Sequence, residues 1–334
     1  MQVFWSILLL LLTLGLPGPE AQDARQPAAQ PAEPVDLGQL PPKVAETGIT
    51  QGLWLWSDKA YATSTQRRKL LDFCVQYQFN HLALAIYFED HAASVLTLRQ
   101  HAGLAQLLAD AGERGITVAA LRGAKEMAFR RNHEQSLRQL DALLRFNRSQ
   151  PPAARFSDIH YDIEPYNTDP WRAGGDARRQ VQVDYLDFLH AARQHIQENS
   201  TAVTLSVDMP YWFDKGVLVL DYRDNVKLFS EHIQDVTDFV TLMSYHRDPV
   251  RVLEQVAGEA DYADKIGRTV NAGMEVGPVR GAEHFISFQW VPTWRFWQAR
   301  TIIEEDAHRR RGFGGVYVHY YRALYEKLNG EPPW

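Results

Sequence analysis

The amino-acid sequence predicts a (β/α)8 barrel, a closed ring of eight parallel strands surrounded by helices. Apolar runs rich in β-branched and aromatic residues recur roughly every 30 to 45 positions, which is the spacing of consecutive strand–helix units. Amphipathic helical patterns lie between these runs. The residues that carry both patterns, 47–334, have the usual size of one such barrel. We therefore expect a single (β/α)8 domain over this range.

Eight short apolar segments are the predicted strands. They are Gly52–Trp56, His81–Phe88, Thr117–Leu121, Ile159–Ile163, Ala202–Val207, Phe239–Tyr245, Thr269–Met274 and Gly315–His319. The clearest helical patterns between them are Ser64–Tyr77, Leu104–Arg114, Ser136–Phe146, Val181–Gln197 and Phe296–Arg309. A doubly wound sheet is the alternative fold, but no glycine-rich phosphate-binding turn follows the first strand. Parallel strands joined by right-handed crossovers therefore indicate a barrel.

Two segments precede the predicted barrel. The run from Val3 to Leu16 is almost entirely apolar, is short for a bilayer span and is typical of the central region of a secretory signal. We expect a signal segment over residues 1–21 and a periplasmic or secreted protein. Because no Lys or Arg precedes the run, an uncleaved membrane anchor is the alternative. Residues 22–46 are rich in Pro, Ala and Gln, which predicts a disordered spacer.

Composition excludes several classes of function. Lys and Arg total 35 and Asp and Glu total 41, a net charge of −6 with no dense basic run, which argues against a nucleic-acid partner. Cys74 is the only cysteine in the sequence, so an internal disulfide and a cysteine-based zinc site are excluded. The histidines show no metal-binding spacing. We expect a monomer without metal or cofactor.

The carboxyl ends of the strands predict where the chemistry lies, because barrel enzymes place their active sites at that end. Carboxylates, histidines and aromatic rings are concentrated there. The candidate substrate-binding residues are Trp54, Trp56, Tyr87, His160, Tyr166, Asp208, Tyr211, Trp212, His246, Trp290, Trp294, His319 and Tyr320. Aromatic rings pack on the C–H faces of sugars, whereas a phosphate site needs cations and glycines. The pattern therefore predicts a carbohydrate polymer or oligosaccharide as ligand.

The fourth predicted strand carries the leading catalytic candidates. Because side chains alternate along a strand, His160, Asp162 and Glu164 share one face, and neighbours on that face are roughly 6.5–7 Å apart. We expect Asp162 to stay ionised with help from His160, and its charge to raise the pKa of Glu164. A glutamic acid with a raised pKa beside an ionised aspartate suits a general acid. The alternative is a structural His–Asp pair beside an exposed glutamate.

Four of the strands resemble those of glycoside hydrolase family 18, the chitinases and related endo-N-acetylglucosaminidases. The segment Asp158-x-His160-x-Asp162-x-Glu164 resembles the family's DxxDxDxE strand, with His160 in place of an Asp. Three further segments resemble its M-x-P, M-x-Y-D/N and last-strand motifs: Asp208–Tyr211, Leu242–His246 and Gly314–His319. His246 and His319 replace the usual residues in the last two.

This resemblance implies a retaining mechanism assisted by the substrate. Glu164 would protonate the glycosidic oxygen of an N-acetylhexosaminide, and the acetamido oxygen of the sugar would attack the anomeric carbon. Asp162 would stabilise the resulting oxazolinium ion, and Tyr245 would orient the attacking carbonyl group. The histidine replacements imply a sugar other than plain chitin, or a barrel that binds a polysaccharide without cleaving it.

A second resemblance implies a different mechanism. Glu164-Pro165 is similar to the fourth-strand Glu-Pro of a large clan of retaining (β/α)8 glycosidases, whose nucleophilic Glu ends the seventh strand. Glu275 lies at that position, and two carboxylates about 5–5.5 Å apart would act by double displacement. Ile163 replaces the Asn that this clan has before its acid. Glu275 is equally compatible with capping a loop or pairing with Arg280.

Overall fold

The computed structural model describes residues 48–91, 95–199, 202–279 and 284–334. The predicted signal segment 1–21 and spacer 22–46 lie outside the described residues. The strands in the described ranges are β1 (Thr50–Leu55), β2 (His81–Ala85), β3 (Phe88–His91), β4 (Val95–Leu98), β5 (Thr117–Arg122), β6 (Asp158–Asp162), β7 (Thr204–Pro210), β8 (Val219–Tyr222), β9 (Asn225–Leu228), β10 (Phe239–Met243), β11 (Thr269–Glu275) and β12 (Phe313–His319). The α-helices are α1 (Ser64–Gln76), α2 (His101–Gly112), α3 (His133–Ser149), α4 (Asp169–Ala173), α5 (Gly175–Glu198), α6 (Phe229–Val236), α7 (Pro249–Ile266), α8 (Thr293–Ala307) and α9 (Tyr321–Asn329).

Eight of these strands form a closed barrel in the order β1-β12-β11-β10-β7-β6-β5-β2. All neighbours in this ring pair in parallel, and β1 also pairs with β2 to close it. Each predicted strand corresponds to one of the eight. The predicted (β/α)8 barrel is therefore confirmed.

Two antiparallel hairpins interrupt the strand–helix alternation. The first pairs β3 with β4 after barrel strand β2, and the second pairs β8 with β9 after barrel strand β7. The predicted strand His81–Phe88 was wrong at its end, because β2 stops at Ala85 and Phe88 opens the first hairpin. Both hairpins extend loops at the carboxyl end of the barrel.

Two apolar layers hold the barrel together. Between the barrel and the helices, α1 buries Leu70, Leu71 and Phe73, and its first turn is capped by the Thr63 side chain, which accepts from the Gln66 N–H. Inside the barrel, Trp54, Tyr317 and smaller residues fill the lumen. A Cβ at Gly52 would lie 2.4 Å from the Tyr317 ring, so this glycine makes room for the ring.

Helix α7 shows how its sequence sets its two ends. The side chain of Asp248 accepts a hydrogen bond from the N–H of Val250, and Pro249 occupies the first helical position. Gly267 ends the helix with a left-handed φ of 70°, which favours glycine. Within the described ranges, no helix is both long enough and apolar enough to span a membrane.

Candidate active site

Strand β6 places its alternate side chains as the sequence predicted. Tyr161 faces outward and packs against Phe188 of α5, with ring centroids 5.0 Å apart. His160 faces the lumen, is fully buried and lies parallel to the Tyr317 ring, with centroids 6.3 Å apart. Register with β7 sets Asp162 opposite Asp208. The barrel therefore places two acidic residues, Asp162 of β6 and Asp208 of β7, side by side at its carboxyl end.

His160 is the centre of a buried chain of polar contacts. Its Nε2 atom lies 2.9 Å from Oδ1 of Asp208, and its Nδ1 lies 2.6 Å from the Ser206 hydroxyl. That hydroxyl donates to Asp158, and the Trp54 indole donates a 3.0 Å hydrogen bond to Asp208. Burial alone would lower the pKa of His160, but the charges and hydrogen bonds of Asp208 and Asp158 outweigh it and raise the pKa to about 10. His160 is therefore an imidazolium at neutral pH.

Two predictions about this strand are corrected. His160 was expected to support an ionised Asp162, but its closest carboxylate is Asp208. Burial, followed by the charges of Glu164 and Asp208, raises the pKa of Asp162 well above its ordinary value despite the opposing charge of His160. The prediction of a permanently ionised Asp162 is therefore wrong. His160 is also 0% exposed, so it lies beneath the site and cannot contact a substrate directly.

Glu164 is held by two hydrogen-bond donors just beyond the end of β6. The Tyr166 hydroxyl donates to Oε1 at 2.6 Å, and the Asn167 amide donates to Oε2 at 2.7 Å. Burial raises the pKa of Glu164, the hydrogen bonds from Tyr166 and Asn167 lower it, and the charge of Asp208 raises it, with a net rise. Glu164 is partly exposed and lies two residues beyond the last residue of β6, at the carboxyl end of the barrel.

The turn after β6 positions these donors. Pro165 opens a short 3-10 helix that ends at Asn167, which brings residues two and three positions later back over the Glu164 carboxylate. Tyr166 was predicted to bind substrate, but it is 5% exposed and its hydroxyl is used on Glu164. Asn167 was missed by sequence reasoning. The Glu-Pro-x-Asn spacing is the signal that could have identified it, since proline favours such a turn.

Tyr245 contributes a hydroxyl to the same mouth. Burial raises its pKa well above the ordinary value, followed by the negative charges of Glu275, Asp208, Asp162 and Glu164. The hydroxyl therefore keeps its proton and acts as a donor. A Cβ at Gly273 would lie 2.9 Å from the Tyr245 ring and 2.6 Å from a neighbouring carbonyl oxygen, so glycine leaves the space that the ring occupies.

Glu275 ends β11 and has both carboxylate oxygens engaged. Oε1 accepts a 2.5 Å hydrogen bond from the Gly277 N–H, and Oε2 lies 2.7 Å from Nδ1 of His319. The indole of Trp56 donates to Nε2 of His319 at 2.8 Å. Because an indole N–H can only donate, Nε2 must accept, and the proton of His319 lies on Nδ1 and is donated to Glu275. The suggested partner Arg280 lies outside the described residues.

The predicted aromatic residues separate into buried and exposed groups. Trp54 is 1% exposed, so its predicted stacking on a sugar is corrected to the hydrogen bond with Asp208. Trp290 and Trp294 are 72% and 47% exposed on the loop that precedes and enters α8. Five further candidates are partly exposed at the rim: Trp56, Tyr211, Trp212, His246 and Tyr320. The Tyr87 hydroxyl donates to the Trp56 carbonyl oxygen at 2.5 Å.

A cavity of about 350 Å³ opens beside this mouth. It is lined by His246, Arg247, Asp248, Phe285, Phe288, Val291 and Arg295. In the part of the chain that the structure describes, no three His, Cys, Asp or Glu side chains are grouped to hold a metal ion.

The chain is similar in fold to solved structures of known enzymes. A chitinase from Chromobacterium violaceum is 13% identical, with a TM-score of 0.50, and the match covers 84% of this chain and 98% of the chitinase. A β-glucuronidase from Bacteroides uniformis is 10% identical, with a TM-score of 0.54, and the match covers 82% of this chain and 30% of the glucuronidase. No protein-family model and no curated protein match the sequence. At these identities the similarity shows the fold alone.

Proposed function

We propose that the protein is an exported, monomeric glycoside hydrolase that cleaves an N-acetylhexosamine-containing glycan with retention. The observation that carries the proposal is the setting of Glu164. Its carboxyl group lies just beyond the end of β6, accepts hydrogen bonds from Tyr166 and Asn167, and has a raised pKa beside Asp162, whose pKa is raised well above its ordinary value. Protonation of a glycosidic oxygen requires a carboxyl group that holds its proton more strongly than an ordinary glutamic acid, and the raised pKa of Glu164 is a shift in that direction.

The two carboxyl groups act as a pair that retains a proton. Ionising both Asp162 and Glu164 is unfavourable, because each is largely buried and lies near the charge of the other and of Asp208. When the proton is on Glu164, Asp162 carries the negative charge. Glu164 then protonates the leaving-group oxygen while the acetamido oxygen of the substrate attacks the anomeric carbon. Asp162 accepts the acetamide N–H and balances the positive charge of the oxazolinium ion.

Tyr245 completes this arrangement as a neutral hydrogen-bond donor. Its hydroxyl is surrounded by the charges of Glu275, Asp208, Asp162 and Glu164, so its proton is retained throughout the reaction. A donor at this position orients the attacking acetamido carbonyl oxygen. Buried His160 and Asp208 lie below and fix the electrostatic potential of the mouth, which makes them positioning residues.

The contacts of Glu275 favour substrate assistance over double displacement. Oε2 of Glu275 accepts from His319 on the adjacent strand β12, and Oε1 accepts from the N–H of Gly277 two residues later, so we infer that this carboxylate links β11 to β12 and is not the nucleophile. These contacts suit a structural clamp between β11 and β12. The similarity in fold to a chitinase and a β-glucuronidase, two glycosidases by name, is consistent with a saccharide substrate.

The proposal is tested by the release of reducing ends from fully N-acetylated and fully deacetylated hexosamine oligomers. Wild type, Glu164→Gln and Glu275→Gln are compared. Substrate assistance predicts cleavage of the acetylated oligomer alone, a loss of roughly 10³-fold or more in Glu164→Gln, and a much smaller loss in Glu275→Gln. Equal loss in both variants with cleavage of both oligomers would support double displacement. If wild type binds the oligomers but does not cleave them, the hydrolase proposal fails and the protein is a polysaccharide-binding barrel.

A further inference from the structure

The cavity beside the active site shares its walls with the catalytic rim. His246 directly follows Tyr245 in the sequence and lines the cavity. Phe288 also lines the cavity and donates its backbone N–H to the carbonyl oxygen of Glu275 at 2.9 Å. A ligand that spans the barrel mouth would therefore reach this cavity with its next unit.

The charges in the cavity are unbalanced. Among the described residues, the partly buried side chain of Arg247 has neither a hydrogen bond nor an ion pair, and Arg295 has no carboxylate partner but packs over the Trp294 ring at 5.4 Å. The one carboxylate in the lining, Asp248, already accepts the N–H of Val250 at 3.0 Å as the cap of α7. Among the described residues, the lining therefore contains two guanidinium groups and one carboxylate, on a chain whose net charge is −6.

His246 adds a neutral donor to this lining. Its Nδ1 accepts the backbone N–H of Asp248 at 2.9 Å, so in the neutral ring the proton lies on Nε2. The ring packs against Phe285, with centroids 5.2 Å apart, which fixes its orientation. The cavity thus combines two cations with an N–H donor over an apolar wall, which suits an anionic oxygen group on a larger ligand.

Exposed aromatic rings occur in the cavity lining and directly beside it in the sequence, at Phe285 and at Trp290, which precedes the lining residue Val291. Phe285 is 45% exposed and Trp290 is 72% exposed. The loop that carries Trp290 is tied down by Lys327, whose ammonium group donates to the carbonyl oxygens of Val291 at 2.7 Å and of Gln289 at 3.3 Å. The Trp290 ring is therefore both exposed and carried by a loop that Lys327 anchors, so it is accessible to a ligand in the cavity.

We propose that this cavity is a subsite for an anionic sugar unit, one that carries a carboxylate or a sulfate ester. Arg247 and Arg295 bind the anionic group, and Phe285 and Trp290 pack on the sugar ring. The inference rests on the proposed function only for the saccharide nature of the ligand. The inference predicts that the substrate is an acidic heteropolymer rather than a neutral homopolymer.

Binding is measured by titration calorimetry on the full chain carrying Glu164→Gln, which prevents cleavage. Three oligosaccharides of equal length serve as probes: one alternating N-acetylhexosamine with hexuronate, its carboxyl-reduced neutral form, and the sulfated neutral form. Each is titrated against this background and against the background with Arg247→Gln or Arg295→Gln added. Arg68→Gln on α1 is the matched control, since Arg68 is exposed and lies between barrel strands β1 and β2, away from the cavity.

We expect at least one anionic probe to bind about tenfold more tightly than the neutral form, or tighter still. Most of this affinity ratio should be lost in Arg247→Gln and in Arg295→Gln and kept in Arg68→Gln. The ratio should also shrink with added salt, which gives a readout that does not depend on any variant folding. The uronate and sulfate probes distinguish the two anionic groups. Equal affinity for all three probes, or a ratio unchanged in both cavity variants, overturns the inference. If wild type cleaves the oligomers but shows no preference for the anionic probes, the subsite inference is overturned and the proposed function stands. If the anionic probes bind more tightly but wild type cleaves none of the oligomers, the subsite inference is supported and the hydrolase proposal is overturned.

Discussion

The phenolic hydroxyl of Tyr166 donates a 2.6 Å hydrogen bond to Oε1 of Glu164, two residues before it in the chain. This contact stabilises the ionised form of the carboxylate, so it lowers a pKa that burial raises. Tyr166 therefore adjusts the proton affinity of the proposed acid, although it does not reach the substrate itself.

Removal of this donor should change the pH profile of hydrolysis. In Tyr166→Phe the Glu164 carboxylate loses one of its two donors, so its pKa rises further. Because the general acid must be protonated, the alkaline limb of kcat/KM should move to higher pH, as measured on an N-acetylhexosaminide. Tyr262→Phe is the control, since that hydroxyl contacts Asp235 and Lys227 on the surface. An alkaline limb that stays in place in Tyr166→Phe contradicts this assignment.

The charge of His160 should make stability depend on pH. Its pKa is raised to about 10 in the folded protein, so its contribution is fully present below its unfolded pKa of about 6.5 and is lost as pH rises through 10. We expect the free energy of unfolding in urea to fall by roughly 3 kcal/mol between pH 6.5 and 10 from this group. His160→Asn should be less stable by about 3 kcal/mol at pH 7 and should lose that part of the slope.

His195 provides the comparison for this measurement. It also pairs with an aspartate, Asp141, but at a partly exposed position on α5. His195→Asn should change the free energy of unfolding by less than about 1 kcal/mol. Similar effects of the two substitutions would show that burial of the His160 pair is unimportant.

Glu259 on α7 should weaken the protein at alkaline pH. It is 2% exposed, and burial, followed by the charge of Asp214, raises its pKa to about 8. Its contribution to stability is therefore present below about pH 4.5 and is lost as pH rises through 8. Glu259→Gln should raise the free energy of unfolding at pH 9 by roughly 3 kcal/mol, with little change at pH 4. Glu254→Gln, exposed on the same helix, should show no such difference.

Substitution of glycine by alanine should impair catalysis at Gly123 and stabilise the fold at Gly258. A Cβ at Gly123 would lie 2.3 Å from the Asp162 carbonyl oxygen and 3.0 Å from its Cβ, so Gly123→Ala must displace Asp162. We expect it to lower kcat by roughly 10-fold or more, since misplaced catalytic groups lose rate steeply. Gly258 lies within α7 with nothing within 4 Å of the added Cβ, so Gly258→Ala should stabilise the fold by about 0.5–1 kcal/mol without affecting kcat. Wild-type kcat in Gly123→Ala would show that the position of Asp162 is not critical.

The sequence was sufficient to predict the barrel because strand runs and helical periodicity are local properties. The eight barrel strands were found in this way, including β6, whose alternation correctly turned His160 inward. The hairpins β3–β4 and β8–β9 were missed because their short strands lie within loops and carry charged residues such as Glu89 and Lys227. Such segments become strands by pairing with each other, which no local pattern specifies.

The pairings among the candidate site residues could not be predicted from the sequence. Alternation places His160 and Asp162 on one face, but the partner of His160 depends on the register between β6 and β7, where His160 pairs with Ser206 and Asp162 with Asp208. This register brings the carboxylate of Asp208 to His160 and leaves Asp162 beside Glu164. Burial, followed by the charges of Glu164 and of Asp208 on the neighbouring strand, raises the pKa of Asp162, and neither burial nor the position of Asp208 is specified by one strand alone.

The most direct test of Glu164 as the general acid compares two aryl N-acetylhexosaminides that differ only in the acidity of the leaving group. An activated phenol needs no protonation to leave, whereas a poorly activated phenol does. We predict that Glu164→Gln loses roughly 10²-fold to 10⁴-fold of kcat/KM with the poor leaving group and retains most of its activity with the activated one. A loss of equal size with both substrates would contradict proton donation by Glu164.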